Sequence, residues 1–425
     1  MKNILIYILK IFARLYLWRY RPKIIGITGS VGKTSAKEAI FTVLNDKFNV
    51  RKNYKNYNNE VGVPLTIIGS ETGGGSYFKW SLVFLKRLFG LIYTPHYPDI
   101  LILEMGADKI GDISYLLSFI KCDIGVMTAI SDIPAHIKFF RTPAQVAREK
   151  VKLLVNLKKN GWAILNFDDQ RVRAMAGHTK AKVISFGFSD EADIKISNLE
   201  VNLNNPEDAY MNFKIDFRGA SVPFRLNKIF GEHQIYSFLA AIAAGLVFDM
   251  NLVNISQALA KYRQPLGRMN LIRGIKNTWI IDDSYNASPS ATKAALDVLS
   301  RMSAAGRKIA VLGDMLELGS YSEFAHREVG ARAAESINIL LAVGSNSVFM
   351  VEEAKAAGLM EKDIHYFLSA EQASRVLQNI IQEGDLILVK GSQGMRMEKV
   401  VKEIMADPAK AGELLVRQDE RWLER

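Results

Sequence analysis

Short apolar runs alternate with amphipathic segments along most of the 425-residue chain. An apolar run over residues 23–28 predicts a buried strand, and helical spacing of apolar positions follows it from Thr34 to about Asn45. A second helical pattern covers residues 143–157. The strands predicted in this half of the chain lie at residues 23–28, 99–103, 124–127 and 162–165. Strands that alternate with helices predict a parallel sheet covered by helices.

The pattern changes in the middle of the chain. Residues 192–226 alternate between apolar and polar positions, which predicts antiparallel strands, and residues 233–247 become helical and rich in alanine. The composition breaks at residues 264–267, and apolar runs then return. The strands predicted beyond the break lie at residues 279–281, 309–312, 339–343 and 386–389.

We therefore predict an α/β fold with two sheet-containing domains. Residues 23–265 form a central domain with a parallel sheet, and residues 266–425 form a doubly wound, Rossmann-like C-terminal domain. Residues 1–22 form a separate basic and aromatic helix at the N-terminus.

Two segments combine aromatic, aliphatic and basic residues, at 4–20 and 77–93. Lys10, Arg14 and Arg19 interrupt the first, which therefore lacks the run of about 20 mainly apolar residues that a membrane span needs. It also lacks the small-residue cleavage region of a secretory signal. A helix on the membrane interface and a helix docked on the protein's own surface fit it equally well. The second segment has the same chemistry, and a buried core helix is its alternative.

Composition and charge narrow the function classes. A hydrophobic content of 49% excludes a disordered chain, and the single cysteine, Cys122, cannot form an intramolecular disulfide. The cytosol is therefore the default location. The net charge of +11 favours anionic partners: nucleic acid, a membrane surface, or a small phosphorylated or carboxylated substrate. Nucleic acid is the weakest of the three, because the chain has neither a basic low-complexity tail nor zinc-finger spacing.

The turn after the first strand reads TGSVGKT and leads directly into a helix. Backbone N–H groups of such a loop and of the helix N-terminus surround phosphate oxygens, Lys33 neutralises their charge, and Thr34 reaches Mg²⁺. Ile27 stands where the longer motif has glycine, so the match is to the compact form. The predicted nucleotide-binding residues of the loop are Thr28, Gly29, Ser30, Val31, Gly32, Lys33, Thr34 and Ser35.

Other polar groups follow predicted strands, where open α/β sheets bind ligands. Glu104 and His136 are candidates to complete a metal site with Thr34, although a lone histidine is more often structural. Asp283 lies in a DDSYN segment after the strand at 279–281, and Arg268 precedes it at the domain boundary, where it could reach a transferred phosphoryl group as the domains close. An aspartate-rich turn with a surface arginine is the local alternative.

Taken together, the motifs resemble the Mur ligase family, and within it the branch that adds D-alanyl-D-alanine to UDP-N-acetylmuramoyl-tripeptide in peptidoglycan synthesis. The matching stretches run in family order from residue 25 to residue 401. They are ITGSVGKTS, NYNNEVGVPLT, LEMGADKIGDI, AHIKFF, LNFDD, GEHQIYSFLAAIAA, LGRM, IIDDSYNASPSATKAAL, VLGDMLELG with His326 after it, and LVKGSQGMRMEKV. The pair DDSYNASP and VLGDMLELG is specific to this branch.

The resemblance implies an ATP- and Mg²⁺-dependent ligase that activates a carboxylate as an acyl phosphate before an amine attacks it. It implies a central ATPase domain with a phosphate loop, in which Thr34 and Glu104 hold one Mg²⁺ and His136 helps to hold a second. Lys150 matches the lysine that the family carbamylates, which would support a metal. By position, the resemblance assigns catalytic roles to Lys33, Lys150, Arg268 and His136. It assigns further ATP contacts to Gln234, Arg268 and Asp283. It assigns substrate contacts to Asn58, Asn59, Tyr285 and Asn286.

The chain departs from the family at identifiable positions. Val151-Lys152 replaces the usual Gly-Glu after the lysine, Gln234 and Ser237 replace two asparagines near adenine, and Ser288 replaces the asparagine of an Asn-Pro pair. Family members of this branch begin with a UDP-binding domain, whereas here the phosphate loop starts at residue 28. We therefore expect a chain that lacks that domain.

The departures keep two other interpretations open. A ligase of the same superfamily could act on another acceptor, of the folate or polyglutamate type or a lipid-linked wall precursor. A nucleotide-dependent membrane-binding switch is a third interpretation, but a switch does not need the DDSYN segment of the second domain. We expect small-molecule substrates, a cytoplasmic location that extends to the inner face of the membrane, peripheral membrane contact and no nucleic acid.

Overall fold

The computed structural model describes residues 2–54, 57–93, 96–134, 136–140, 142–419 and 422. These residues form two sheets of mainly parallel strands, each covered by helices, which confirms the predicted α/β class. We call the first sheet with its helices the central domain, and the second sheet with its helices the C-terminal domain. The first ends with a helix at Leu259 and the second begins with a strand at Asn270. A boundary at 265/266 would fall between them, and that boundary stays a prediction.

The sheet of the central domain has nine strands in the order β2-β3-β1-β4-β5-β6-β7-β8-β9. Pairing is parallel from β2 to β7 and antiparallel from β7 to β9, as predicted for residues 192–226. Strand β1 is buried at every position after Lys23, because both faces of a parallel sheet are covered. The strands are β1 Lys23–Thr28, β2 Val50–Lys52, β3 Ile100–Glu104, β4 Ile124–Met127, β5 Trp162–Asn166, β6 Lys182–Gly187, β7 Ile194–Asn202, β8 Tyr210–Phe217 and β9 Ala220–Asn227.

Ten helices precede or cover this sheet in the described part of the chain. They are α1 Lys2–Tyr20, α2 Lys33–Leu44, α3 Gly62–Ile68, α4 Tyr77–Ile92, α5 Asp112–Leu117, α6 Pro143–Lys150, α7 Lys152–Val155, α8 Gln170–Ala174, α9 Ile235–Val247 and α10 Leu252–Leu259. The helical pattern predicted at 143–157 is confirmed over 143–155, where the chain forms two consecutive helices, α6 and α7, that meet at Val151. Thr142 caps α6 by accepting a hydrogen bond from the Gln145 N–H. The junction at Val151 leaves Lys150 as the last, buried residue of α6.

The sheet of the C-terminal domain has six strands in the order β10-β11-β15-β12-β13-β14. All pairs are parallel except β10 with β11. The strands are β10 Asn270–Arg273, β11 Trp279–Asp283, β12 Lys308–Gly313, β13 Ile339–Val343, β14 Ile364–Phe367 and β15 Leu386–Lys390. The helices are α11 Pro289–Arg301, α12 Ser322–Ala334, α13 Val348–Ala356, α14 Ala370–Ile380, α15 Glu398–Ile404 and α16 Ala411–Leu414.

The two domains contact each other at two separate places. On one side, the Ser303 N–H donates to the Leu203 carbonyl at 2.9 Å, and Arg301 forms an ion pair with Glu232. On the other side, the Lys138 N–H donates to the Glu317 carbonyl at 3.0 Å. The carboxyl ends of both parallel sheets lie at the cleft that these contacts enclose.

Helix α1 packs on the central domain through Leu9, Ala13 and Tyr16, which are fully or almost fully buried. It contacts α3 and α4, and the Tyr16 hydroxyl donates to the Arg87 carbonyl at 2.8 Å. Among the residues that the structure describes, no helix combines the length and the apolar character needed to cross a bilayer.

Candidate active site between the two domains

A cavity of about 360 Å³ lies in the cleft between the two domains. It is lined by every predicted site residue except Thr28, which ends β1 and donates its hydroxyl to the Met105 carbonyl at 2.9 Å. The predicted residues that line it are Gly29, Ser30, Val31, Gly32, Lys33, Thr34, Ser35, Asn58, Asn59, Glu104, His136, Lys150, Gln234, Arg268, Asp283, Tyr285 and Asn286. One site therefore collects groups from both sheets.

The phosphate loop is built by two glycines between β1 and α2. Gly32 adopts a left-handed φ of 83° where α2 begins, and a Cβ at Gly29 would lie 1.9 Å from Thr128 Oγ1. Lys33 Nζ folds back to donate to the Gly29 carbonyl at 2.8 Å. Ser30 Oγ is buried and, among the residues described, has no hydrogen-bond partner. An orphaned donor beside a helix N-terminus fits a bound phosphate.

The loop lysine is partly buried in this cleft. Desolvation lowers the pKa of the Lys33 ammonium, and the nearby Arg268 cation lowers it further, whereas the Glu104 and Asp108 carboxylates oppose the shift. Cations that lie close together repel one another when too few carboxylates neutralise them, and an anion bound among them removes this repulsion. Triphosphate is an anion of that kind.

The candidate magnesium site lies beside the loop. Thr34 Oγ1 is 3.3 Å from Glu104 Oε1, and the Asn58 amide donates to the same carboxylate oxygen at 3.4 Å. Burial favours the neutral form of Glu104, but the Lys37 and Lys33 cations outweigh it and lower its pKa, so the carboxylate is ionised. A hydroxyl and a carboxylate on one side fit Mg²⁺, which keeps several waters and takes phosphate oxygens as further ligands. Among the described residues, no group of three or more histidine, cysteine, aspartate or glutamate side chains is arranged to hold a metal ion by itself.

Lys150 and His136 lie on the same side of the cleft. Burial, reinforced by the neighbouring Lys33 cation, lowers the pKa of Lys150 well below its ordinary value. The His136 ring lies between two carboxylates, with Nε2 3.6 Å from Asp108 Oδ1 and Nδ1 in contact with Glu317 of the C-terminal domain. His136 is therefore placed where the two domains meet.

The opposite wall of the cavity belongs to the C-terminal domain. The Arg268 guanidinium lies 4.2 Å from the centre of the Tyr285 ring, and its Nε has no hydrogen-bond partner among the residues described. Asp283 accepts a hydrogen bond from the Met269 N–H at 3.2 Å and one from Lys390 Nζ at 2.5 Å. Lys390 Nζ also donates to the Asn286 carbonyl at 3.0 Å. An arginine with a spare donor and a fixed carboxylate face the phosphate loop across the cavity.

Three of the residues that depart from the family pattern, Gln234, Ser237 and Ser288, also line the cavity. The Gln234 side-chain oxygen accepts a hydrogen bond from the Gln264 amide at 2.8 Å, and the Ser237 hydroxyl donates to the Gly32 carbonyl at 3.4 Å. Ser237 thereby supports the phosphate loop itself. The Gln234 amide nitrogen is a donor next to the cleft.

Comparisons with known proteins agree with this architecture. The Mur ligase middle domain family matches residues 91–245, and the Mur ligase glutamate ligase domain family matches residues 267–393. A UDP-N-acetylmuramoyl-tripeptide D-alanyl-D-alanine ligase from Escherichia coli K12 is 30% identical over 405 residues, which cover 92% of this chain and 80% of that protein. The chain is a Mur ligase.

Other proteins similar to this Mur ligase either have the same name as the Escherichia coli ligase or share its fold. The ligase of that name from Bacillus subtilis 168 is 29% identical over 93% of this chain and 79% of its own length. The structure of MurF from Thermotoga maritima in complex with ADP is 25% identical with a TM-score of 0.76, covering 94% of this chain and 83% of that one. Escherichia coli FolC with DHPP and ADP shares the fold at 16% identity, with a TM-score of 0.64 over 92% of this chain and 91% of that one.

Sequence reasoning missed two charged residues of the Mur ligase cleft, Asp108 and Lys390. Lys390 is 1% exposed and pairs with Asp283, its register partner across β11 and β15. The available signal was its position, since it ends an apolar strand and is followed by Gly391 and Ser392. A lysine at the carboxyl end of a buried parallel strand is placed where such sheets bind ligands.

Proposed function

We propose that this Mur ligase uses ATP to add D-alanyl-D-alanine to the tripeptide carboxylate of UDP-N-acetylmuramoyl-tripeptide. The observation that carries the proposal is the cleft, in which the phosphate loop of one domain faces Arg268, Asp283 and Lys390 of the other. The named relatives, 29–30% identical over more than nine tenths of the chain, supply the substrate class.

In this reaction the γ-phosphoryl group of ATP moves to a carboxylate oxygen, and ADP is released. The amine then attacks the carbonyl carbon, phosphate leaves with the electron pair of the C–O bond, and the amine loses a proton. Lys33 and Arg268, on opposite walls, stabilise the negative charge on the phosphoryl oxygens as it moves. Thr34 and Glu104 would hold the Mg²⁺, which neutralises phosphate charge when bound.

Lys150 is proposed to act as a carbamate. Because its pKa is lowered well below the ordinary value, a larger fraction of the amine is neutral and nucleophilic at a given pH than for an ordinary lysine. Addition of its nitrogen to the carbon of CO₂ forms the N–C bond and releases one proton. The product carries a negative charge beside Lys33, which removes the repulsion between the two buried lysines and supplies oxygen ligands for a metal. His136, at the junction of the domains, is proposed as the further metal ligand.

The decisive experiment measures ADP release by the full-length protein with UDP-N-acetylmuramoyl-tripeptide, with and without D-alanyl-D-alanine. We expect turnover that requires both substrates and Mg²⁺. ATP binding without dipeptide-dependent turnover would reject this substrate pair while leaving the ligase class intact. A parallel assay with folate and glutamate, or with a lipid-linked wall precursor, then distinguishes the alternative acceptors.

Location is a separate proposal. We place the ligase in the cytoplasm, in peripheral contact with the inner face of the membrane. The support for the contact is the exposed face of α1 and α4, which is apolar and basic.

A further inference from the structure

Helix α1 has two apolar faces, and the fold uses one of them. The inward face, with Leu9, Ala13 and Tyr16, is buried against the central domain. The outward residues recur at spacings of three and four, which places them on one stripe of the helix. They are Ile4, Tyr7, Ile11, Leu15 and Trp18, and all of them are exposed. Folding needs only the inward face, so the outward stripe requires another explanation.

Helix α4 continues this exposed surface. It packs against α1 through Phe12 and Phe84, whose ring centres are 5.3 Å apart, and the Tyr20 hydroxyl donates to the Gly90 carbonyl at 2.6 Å. Its solvent face carries Phe78, Leu82, Leu85, Leu88, Phe89 and Ile92. About half of the large apolar side chains that the described residues expose lie on these two helices or at Tyr93. Such a concentration on two neighbouring helices marks an interaction surface.

The charge of this surface identifies its partner. Helices α1 and α4 together contain seven lysines and arginines and no aspartate or glutamate. On α4, Lys79 and Lys86 lie at one edge of the apolar face, and on α1 Arg19 lies beside the outward stripe. An apolar stripe with basic residues at its edges is the arrangement of helices that lie in the interface of an anionic bilayer. A protein partner would need an acidic rim around an apolar centre, which is rarer than an anionic lipid surface.

We propose that the outward faces of α1 and α4 bind the surface of an anionic phospholipid bilayer. Trp18 and Phe78, which are 70% and 79% exposed, enter the boundary between headgroups and acyl chains, and the basic residues contact lipid phosphates. The surface is connected to the cleft through one packed helix, because α1 contacts α3 and the residues before α3 include Asn58 and Asn59. This proposal concerns a surface outside the cleft and does not depend on the identity of the acceptor.

Flotation of the full-length protein with vesicles tests the proposal. We expect it to float with vesicles of phosphatidylcholine and phosphatidylglycerol at least about tenfold more than with phosphatidylcholine alone, and less as salt is raised. A variant with Trp18→Ser, Phe78→Ser and Phe89→Ser should float at least about tenfold less than the wild type. The matched control is Phe324→Ser with Leu368→Ser, which removes exposed apolar residues of the C-terminal domain and should float like the wild type.

A second pair of variants tests the charge. Lys79→Gln with Lys86→Gln should lower binding to anionic vesicles by several fold and leave binding to neutral ones unchanged, whereas the exposed Lys362→Gln should change neither. Equal flotation of the wild type and the triple apolar variant would overturn the proposal. So would vesicle-independent self-association that the triple variant abolishes, since the face would then be an interface between copies of the chain. ADP binding by each variant reports whether it is folded.

Discussion

The two walls of the cleft are built in different ways. The central wall takes its proposed phosphate-binding groups from one continuous loop, residues 28–35, and the proposed metal ligand Glu104 from the adjacent strand β3. The C-terminal wall assembles Arg268, Asp283 and Lys390 from three places in the chain. A side-chain hydrogen bond joins Lys390 to Asp283, and Arg268 lies against the Tyr285 ring. The first wall is therefore held by backbone conformation and the second by pairing of charges. Substitutions should abolish function on the first wall and shift nucleotide affinity on the second.

The largest effect is expected at Lys33. Lys33→Met removes the cation closest to the phosphate loop backbone, and we expect kcat to fall by about 10³-fold, because a preorganised charge on the transferred phosphoryl group is lost. Steady-state ADP release measures the change. Lys47→Met, an exposed substitution just after α2, is the control and should retain full activity. A loss of kcat below tenfold for Lys33→Met would indicate that the C-terminal wall provides most of the charge stabilisation.

The second largest effect is expected at Lys150, where Lys150→Ala and Lys150→Arg should each lower kcat by about 10²-fold. Arginine keeps the positive charge but cannot become a carbamate, so the two variants should fail alike. Short carboxylic acids such as acetate should partly restore activity to the alanine variant alone.

The pKa of Lys150 adds a pH dependence to this prediction. A lowered pKa keeps the amine neutral at lower pH than an ordinary lysine, and only the neutral amine adds CO₂. Wild-type enzyme depleted of CO₂ should therefore lose activity and regain it with bicarbonate, faster at pH 8 than at pH 6.5. Activity that does not change on addition of bicarbonate at either pH would rule out the carbamate.

On the C-terminal wall, Lys390→Met should raise KM for ATP by about tenfold with a smaller change in kcat. The variant leaves the buried Asp283 carboxylate without its cation, which also destabilises the domain. The double variant Lys390→Met with Asp283→Asn separates the two effects, since it should recover thermal stability but not KM. Recovery of both thermal stability and KM would show that the role of Lys390 is purely structural.

A smaller effect is expected at the contact between the domains. Glu317→Gln weakens the interaction with His136, and partly exposed ion pairs contribute about 0.2–1 kcal/mol, so kcat/KM should fall no more than about fivefold. Glu323→Gln, which removes an exposed carboxylate that pairs with Arg327 and does not line the cavity, should leave kcat/KM unchanged. A loss of 10²-fold at Glu317 would instead indicate a direct catalytic role.

The smallest effect on activity is expected at Asp282, which does not line the cleft although Asp283 does. Burial raises the pKa of Asp282 to about 6, above the 3.8 of an exposed aspartate. Its ionisation therefore costs stability above pH 6, and the cost disappears as the pH falls towards 4. Asp282→Asn should be more stable than the wild type at pH 7.5 by about 1–2 kcal/mol, with a smaller difference at pH 5. Denaturant unfolding at the two pH values measures this difference, and an equal gain at both would contradict the raised pKa of Asp282.

The same difference between the two walls explains which parts of the structure could be predicted from the sequence. Strand β1 and helix α2 were predicted within one residue, because the phosphate loop is a local pattern between an apolar run and a helix. Strands β2, β6, β10 and β14 were missed. Of these, β2, β10 and β14 are short and none of the three is fully buried. The pairing of Asp283 with Lys390 joins residues 107 apart in sequence, a separation that no local pattern reports. Local chemistry is readable from sequence, whereas partners brought together by strand order are not.

The strand order of the C-terminal domain has a consequence for synthesis. Strand β15 is the last strand of the chain, yet it lies between β11 and β12 near the middle of the sheet. A nascent chain released only as far as residue 380 contains Asp283 and the whole DDSYN segment, but it has a gap where β15 belongs. The nucleotide wall of this domain therefore cannot assemble during elongation until residue 390 has left the ribosome. A chain truncated before that residue would retain the phosphate loop and the DDSYN segment and lose the strand that completes the sheet around them.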